Sequence, residues 1–234
     1  MIEVTANGDE QVNFSSSGIL IPGKEDDNLC LKAYRLLSQD HQLPGMKIHL
    51  HKVIPTGAGL GGGSSDGIHL IKLLNEKFEL GISWGEMHDY ARKLGSDCSF
   101  FVSGKTCFAT GRGDEQESIR LDLSGKFLYL VYPGIHISTA EAYSLVNCKQ
   151  PEYDLERTVL DLKPGEWKEI LHNDFEISIC NKYPLIGEIK EKLYSLGAVY
   201  ASMSGSGSAV YGIFDHVPEK ETSFRTHFTW LGKM

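Results

Sequence analysis

No two of the five cysteines (Cys30, Cys98, Cys107, Cys148, Cys180) stand in C-x-x-C spacing, and their odd number and scatter exclude a disulfide frame or a zinc cage as the organising device. All five read as reduced thiols. No apolar run approaches the ~18 residues that a membrane span needs. The opening MIEVTANGDEQ has neither the basic start nor the apolar stretch of a signal peptide. A soluble, cytoplasmic chain with no membrane partner is expected. Positive charge is also short. Lys+Arg number 23 against 31 Asp+Glu, a formal net charge of −8, which argues against a protein that works by neutralising a nucleic-acid backbone. Any phosphate this chain binds must be caught by local groups. What is present is ordinary globular material: 234 residues, 41% hydrophobic and 23% charged, enough for one large domain or two small packed ones.

Along the chain, short runs (Ile2, Val4; Val12, Phe14; Ile19, Leu20, Ile21) broken by Asn7-Gly8 and by Ser15-Ser16-Ser17-Gly18 predict strands joined by turns. Asp27 is expected to cap a helix whose apolar positions Leu29, Cys30, Ala33, Tyr34 and Leu37 recur at helical spacing. Met46, Ile48 and Leu50 alternate with Lys47, His49 and His51, the period of a half-buried strand, which places both histidines on the polar, solvent-facing side. Leu70, Ile71, Leu74 and Phe78 mark a helix that Gly81 stops, and Ser83-Trp84-Gly85-Glu86 is a capping box for another that ends at Gly95. Strand-like runs at Cys107–Ala109, Phe127–Tyr132 and Ala209–Phe214 alternate with helical ones at Ser138–Val146, Trp167–Leu171 and Leu185–Leu196. The pattern is α+β, without internal repeats. A strand, a proline-glycine pair and then mostly helical sequence put the expected domain junction at Ser138, giving domains 1–137 and 138–234.

Between strand and helix lies Pro55-Thr56-Gly57-Ala58-Gly59-Leu60-Gly61-Gly62-Gly63-Ser64-Ser65-Asp66, with six glycines from Gly57 to Gly67. Glycines let the backbone approach a bulky anion closely and aim N–H groups at it, and the following helix start adds partial positive charge. Phosphate cradling is the natural reading; a plain surface loop is the bland one. No lysine follows the last glycines, so a Walker loop is excluded. A dinucleotide fingerprint fits Gly57, Gly59 and Gly62, but a second capped helix stands where its parallel strand belongs.

Pro55-x-x-x-Gly59-Leu60-Gly61-Gly62-Gly63-Ser64-Ser65 resembles the phosphate-binding motif of the GHMP kinases, the group of galactokinase, homoserine kinase and mevalonate kinase. Glu25-Asp26-Asp27-Asn28-Leu29, Leu94-Gly95-Ser96-Asp97-Cys98-Ser99-Phe100-Phe101, and Tyr132-Pro133-Gly134 through Ser138-Thr139-Ala140-Glu141-Ala142-Tyr143 extend the resemblance. Asn173-Asp174-Phe175-Glu176 and Met203-Ser204-Gly205-Ser206-Gly207-Ser208-Ala209 complete it. The triple glycine and Ser138-Thr139-Ala140 are most similar to the branch that phosphorylates the 2-hydroxyl of a cytidine diphosphate-linked methylerythritol in non-mevalonate isoprenoid precursor synthesis. Another small alcohol as substrate, or a catalytically impaired nucleotide-binding protein, are the alternatives.

The resemblance implies a two-domain fold, ribosomal protein S5-like then ferredoxin-like, with ATP and Mg²⁺ as co-substrates. It implies Asp97 as the base that takes the hydroxyl proton; by spacing alone Asp97 is a cap or turn residue. The partly desolvated cleft beside Phe100-Phe101-Val102 is its expected setting. It implies that Asn28 and Lys52 lie around adenine and ribose, and that Pro55, Gly57, Ala58, Gly59, Leu60, Gly61, Gly62, Gly63, Ser64 and Ser65 hold the phosphates. By alternation alone Lys52 is a solvated strand end. Thr139, Tyr143, Gly205, Ser206 and Gly207 match the substrate side, where Tyr143 stacks on a base or else packs in a core. Magnesium is expected with the nucleotide, near Ser65 or Asp66. Family members open with an A-K-[IL]-N-L strand and a G-Y-H segment. Met1-Ile2-Glu3-Val4 is similar to a strand downstream of both, so the family without its N-terminal segment, binding ATP weakly through Gly57–Ser65 and turning over slowly or not at all, is the expectation.

Overall fold

A computed structural model describes residues 1–8, 11–146, 153–219 and 221–234; Cys148 lies outside them. The chain forms two compact units, Met1–Thr56 with Gly61–Ile119, and Gly57–Leu60 with Arg120–Met234. Ser138 lies inside the second.

The first unit is built on a three-stranded sheet of order β1-β3-β2, with β1 at Ile2–Ala6, β2 at Asn13–Gly18 and β3 at Met46–Lys52. β1 runs antiparallel to β3, and β2 runs parallel to it. A parallel neighbour needs a crossover, and α1 (Leu29–Asp40) supplies it. The period of two in β3 fixes its face. Met46, Ile48 and Leu50 are buried, each contributing roughly 1.5–3 kcal/mol, and a register slip of one residue would expose all three. They pack on Ala33 and Leu37 of α1 and on Ile68, Ile71 and Leu74 of α2 (Gly62–Lys77) in a single core cluster. α3 (Trp84–Leu94) starts with the expected capping box, Ser83 and Glu86 exchanging both bonds, and ends at Gly95. α4 (Cys98–Ser103) and a hairpin of β4 (Cys107–Thr110) and β5 (Glu115–Ser118) complete the unit.

Four local expectations are corrected here. Ser15-Ser16-Ser17-Gly18 is the body of β2, because the pairings Ser15↔His49 and Ser17↔His51 outweigh the turn preference of serine. Ile19-Leu20-Ile21 falls beyond the strand, with Leu20 87% exposed. His49 and His51 are half-buried rather than solvent-facing. His49 Nδ1 meets the Ser15 hydroxyl at 2.8 Å, its Nε2 meets that of Ser17 at 2.9 Å, and His51 Nδ1 shares the Ser17 hydroxyl at 2.9 Å. The cap of α1 is Asn28, whose Oδ1 accepts the Cys30 N–H at 2.9 Å, since Asp27 is taken up in a short 3-10 turn at Glu25–Asp27.

The second unit carries an antiparallel sheet of order β7-β8-β6-β9, from Tyr200–Met203, Val210–Phe214, Phe127–Tyr132 and Phe228–Lys233. One core gathers Ile179 of α7 (Asp174–Lys182) and Ile186, Ile189 and Leu193 of α8 (Pro184–Ser195) with Val131, Met203 and Val210 of the sheet. Trp167, Tyr200 and Ile213 form a second, and Trp167 stands in a 3-10 turn at Pro164–Glu169 where the sequence suggests a helix. Two short helices complete the unit, α5 at Thr139–Leu145, capped by Ser138, and α6 at Leu155–Asp161.

Candidate active site

The segment from Pro55 to Ser65 leads from β3 into the first turn of α2, and its glycines are needed where they stand. Gly59 has φ +73°, and a Cβ there would lie 2.1 Å from the Ser204 carbonyl oxygen, so only glycine fits without moving backbone. Gly61 holds the N-cap of α2 in the left-handed region and offers no side chain, which leaves the first N–H groups of a sixteen-residue helix uncapped. Uncapped donors at the positive end of a helix form a site for an anion.

A buried lysine reinforces it. Lys52 ends β3 on the inward side, in line with Met46, Ile48 and Leu50, and is only 4% exposed. Its ammonium pairs with the Asp66 carboxylate on α2. A Cβ on Gly62 would stand 3.1 Å from Lys52 Nζ, so the charge lies against the first turn of α2. The reading of Lys52 as a solvated strand end is therefore replaced by a buried ion pair. Residue 52 continues the even-numbered inward face of β3, which the reading as a solvated strand end passed over. Nothing in the sequence named Asp66 as its partner.

Lys52, Asp66, Asn28 and Gly63 line a common cavity of about 390 Å³ with Phe14, Ile21, Leu29 and Thr56. That volume suits part of a small organic ligand. The Thr56 hydroxyl is buried without a hydrogen-bond partner, as is the Ser99 hydroxyl, and an orphaned buried donor is costly until something accepts from it. Cys30 is no nucleophile: burial foremost, then the Asp66 charge, pushes its thiol up to about 12. The Cys98 thiol is raised chiefly by burial, against which the neighbouring Ser64 hydroxyl acts. The Ser65 hydroxyl meets His69 Nδ1 at 3.3 Å.

Asp97 stands in the turn between Gly95 and α4 at the N-cap position, but with helical φ/ψ and no cap bond, so the capping role is absent. It is exposed, not partly desolvated, because α4 turns the apolar side chains of Cys98 and Val102 inward and leaves its leading residue outside.

In the second unit the first half of the loop meets the other glycine turn. The Ser204 hydroxyl donates to the Gly59 carbonyl at 2.7 Å, and the Ala209 N–H donates to the Ala58 carbonyl at 3.1 Å. Gly57, Ala58, Gly59 and Leu60 thus belong with Gly205, Ser206 and Gly207. Thr139 begins α5 and is exposed. Tyr143 is 63% exposed, its ring edge-to-face with Phe175 at 5.1 Å, which removes the core alternative for it. Among the described residues no hydrogen bond ties Thr139 or Tyr143 to the Gly205–Gly207 turn, and no group of three or more metal-ligating side chains occurs. The Ser138 cap and Glu141 brace α5; hydrogen bonds from Lys182 and then Tyr183 hold the Glu141 carboxyl below its ordinary range.

Residues 28–105 match the family described as GHMP kinases N terminal domain, and residues 160–226 match GHMP kinases C terminal. The chain is 44% identical over 238 residues to the 4-diphosphocytidyl-2-C-methyl-D-erythritol kinase of Bacteroides thetaiotaomicron, covering all of this chain and 85% of that protein. It is 49% identical over 210 residues to the kinase of the same name from Cytophaga hutchinsonii, covering 88% and 76%. A crystal structure of 4-(cytidine 5'-diphospho)-2C-methyl-D-erythritol kinase superposes with a TM-score of 0.79 at 26% identity, over 99% of this chain and 84% of that one. Homoserine kinase from Cytophaga hutchinsonii, at 12% identity over 99% and 83% of the two chains and a TM-score of 0.63, shares the fold.

Proposed function

The chain belongs to the GHMP kinase family, among the 4-diphosphocytidyl-2-C-methyl-D-erythritol kinases, and on that premise we propose how its residues divide the reaction. The activity is ATP-dependent phosphorylation of the 2-hydroxyl of 4-diphosphocytidyl-2-C-methyl-D-erythritol in non-mevalonate isoprenoid synthesis. Phosphoryl transfer asks the protein for positioning and charge stabilisation, and for a group that takes the hydroxyl proton. The uncapped start of α2 at Gly61–Ser64, with the Lys52 ammonium against it, is the observation that carries the assignment. These donors hold the ATP phosphates, together with the backbone of Gly57, Ala58, Gly59 and Leu60. Asn28, Pro55 and the cavity around Leu29 and Thr56 take the nucleoside end, and the Thr56 hydroxyl finds there the acceptor it lacks.

Asp97 accepts the proton of the 2-hydroxyl as that oxygen bonds to the γ-phosphorus, the bond from γ-phosphorus to the bridging oxygen breaks, and ADP leaves with the electron pair. Its exposed, unbonded carboxylate is free for that role. In the second unit, Gly205, Ser206 and Gly207 are assigned to the accepting end of the substrate, and Thr139 with the open face of Tyr143 to its cytidylyl group. Magnesium would arrive with the nucleotide and would supply charge neutralisation at its phosphates. Ser65 would be the side chain to hold it, since the Asp66 carboxylate is committed to Lys52. We place the reaction in the cytoplasm; among the described residues no helix is long and apolar enough to cross a membrane. Titration calorimetry with Mg·ATP tests the assignment: Lys52→Met should weaken binding, and an unchanged affinity would remove Lys52 from the site.

A further inference from the structure

Asn173-Asp174-Phe175-Glu176 takes no part in the chemistry above, yet two of its side chains reach the second glycine turn. Asn173 caps α7 through Oδ1, which accepts the Phe175 N–H at 3.0 Å. Its Nδ2 donates to the carbonyls of Met203 at 2.9 Å and Gly205 at 2.8 Å. Glu176 is 9% exposed. Its Oε1 accepts the Met203 N–H at 2.6 Å and the Ser202 hydroxyl at 3.0 Å, and its Oε2 accepts from the Lys190 ammonium at 2.5 Å. Every polar side-chain atom of these two residues is therefore occupied, and for the buried Glu176 that is the condition for burying a charge without a large penalty.

The end of β7 is consequently gripped by both its N–H and its C=O immediately before the turn. Gly205 and Gly207 both adopt positive φ, +54° and +86°, and within the turn the Ser204 N–H donates to the Ala209 carbonyl at 2.8 Å and the Gly207 N–H to the Ser204 carbonyl at 3.0 Å, so the turn is a closed unit whose placement depends on what holds its ends. The gripped segment continues into Ser204, which bonds Gly59, and the far end of the turn at Ala209 bonds Ala58. We propose that Asn173 and Glu176 are positioning residues for the phosphate loop: they fix the Ser204–Ala209 turn, and through Ser204 and Ala209 they set the Ala58–Gly59 backbone in the geometry that receives the nucleotide. Ordering done in advance by these two side chains is ordering that ligand binding need not supply. The inference rests on reading Gly57–Ser65 as the phosphate cradle.

Asn173→Asp separates the two tasks of Asn173. Aspartate remains a good helix cap, but it has no N–H to give and sets a negative charge against two carbonyls. In the 234-residue chain three quantities are compared: the melting temperature, amide hydrogen exchange at Ala209 and along α7, and the Kd for Mg·ATP. The expected result is a melting temperature lower by only several degrees and unchanged α7 exchange, with Ala209 exchange and the Kd both raised about ten- to a hundredfold, the worth of two lost hydrogen bonds. Glu176→Gln keeps an acceptor for the Met203 N–H, so it should move the same readouts less, and it serves if Asn173→Asp does not fold. Unaltered Ala209 exchange in both variants overturns the proposal, as does faster exchange with an unaltered Kd. A wild-type chain that does not bind Mg·ATP contradicts the cradle reading instead, and Ala209 exchange then decides alone whether Asn173 holds the turn.

Discussion

Removing either partner of the Lys52–Asp66 pair should cost stability, but only one removal should cost nucleotide affinity. Lys52 is 4% exposed and Asp66 21%, so Lys52→Met strands a carboxylate that water can partly reach, whereas Asp66→Asn strands an ammonium that water can hardly reach. Breaking a buried pair typically costs about 3–5 kcal/mol. Lys52→Met should fall at or just below the low end, roughly 2–3 kcal/mol, and Asp66→Asn nearer the middle of the range. At ~2–4 °C per kcal/mol for a chain of this size, the shifts in Tm are on the order of 5–15 °C. The double variant should destabilise by less than the sum of the two, with a coupling of about 1–3 kcal/mol. Affinity should divide differently. Lys52→Met removes a charged donor beside the start of α2, a loss of about ten- to a hundredfold in Mg·ATP affinity. Asp66→Asn frees that donor and should leave affinity equal or better. Urea titration and calorimetry on four proteins give all the numbers. Additive stabilities, or loss of affinity in Asp66→Asn equal to that in Lys52→Met, would refute the reasoning.

Gly59→Ala should lower Tm, since it forces alanine to φ +73° at ~1–2 kcal/mol and drives its Cβ into the Ser204 carbonyl, whereas Gly63→Ala, whose Cβ meets only Leu29 Cδ1 at 3.7 Å, should keep Tm and weaken Mg·ATP; differential scanning and calorimetry separate them. Asp97→Asn should reduce turnover by about 10²–10⁴-fold with Tm unchanged, and steady-state kinetics that show no loss remove it as the base. Tyr143→Ala should raise KM for the cytidylyl substrate by about 5–150-fold, the worth of a stacked base, while KM for ATP and Tm stay in place. A falling Tm would return Tyr143 to a packing role. Acid should weaken the second unit in a defined window. The Ser223 backbone N–H, then Lys192, hold the Glu221 carboxyl at about 2 against an ordinary 4.5. Its folded value is depressed, so its contribution is complete above about 4.5 and is lost as pH falls toward 2. Tm followed over that range should fall less steeply in Glu221→Gln than in the wild type.

Local patterns in the sequence made much of the framework legible. The alternation of Met46, Ile48 and Leu50, the Ser83–Glu86 capping box and the left-handed glycines before α2 each depend on neighbours within a few residues. What escaped depends on residues far apart. Ser15–Ser17 form a strand only because β3 offers His49 and His51 across a parallel pairing. Lys52 is buried only because Asp66 arrives from α2 to pair with it. The Asn173 grip on Met203 and Gly205 spans about thirty positions, and neither partner announces it. Pattern therefore located the loop and its helix, while the groups that charge and brace the loop came from tertiary structure.

Phosphorus NMR on the reaction itself addresses the central claim most directly. With the chain at concentrations comparable to its substrates, Mg·ATP and 4-diphosphocytidyl-2-C-methyl-D-erythritol should yield ADP and one new phosphomonoester resonance coupled to the 2-position, whatever the rate, and Lys52→Met should suppress it. Transfer to homoserine or mevalonate in place of that alcohol, or no phosphomonoester at stoichiometric protein, would contradict the account.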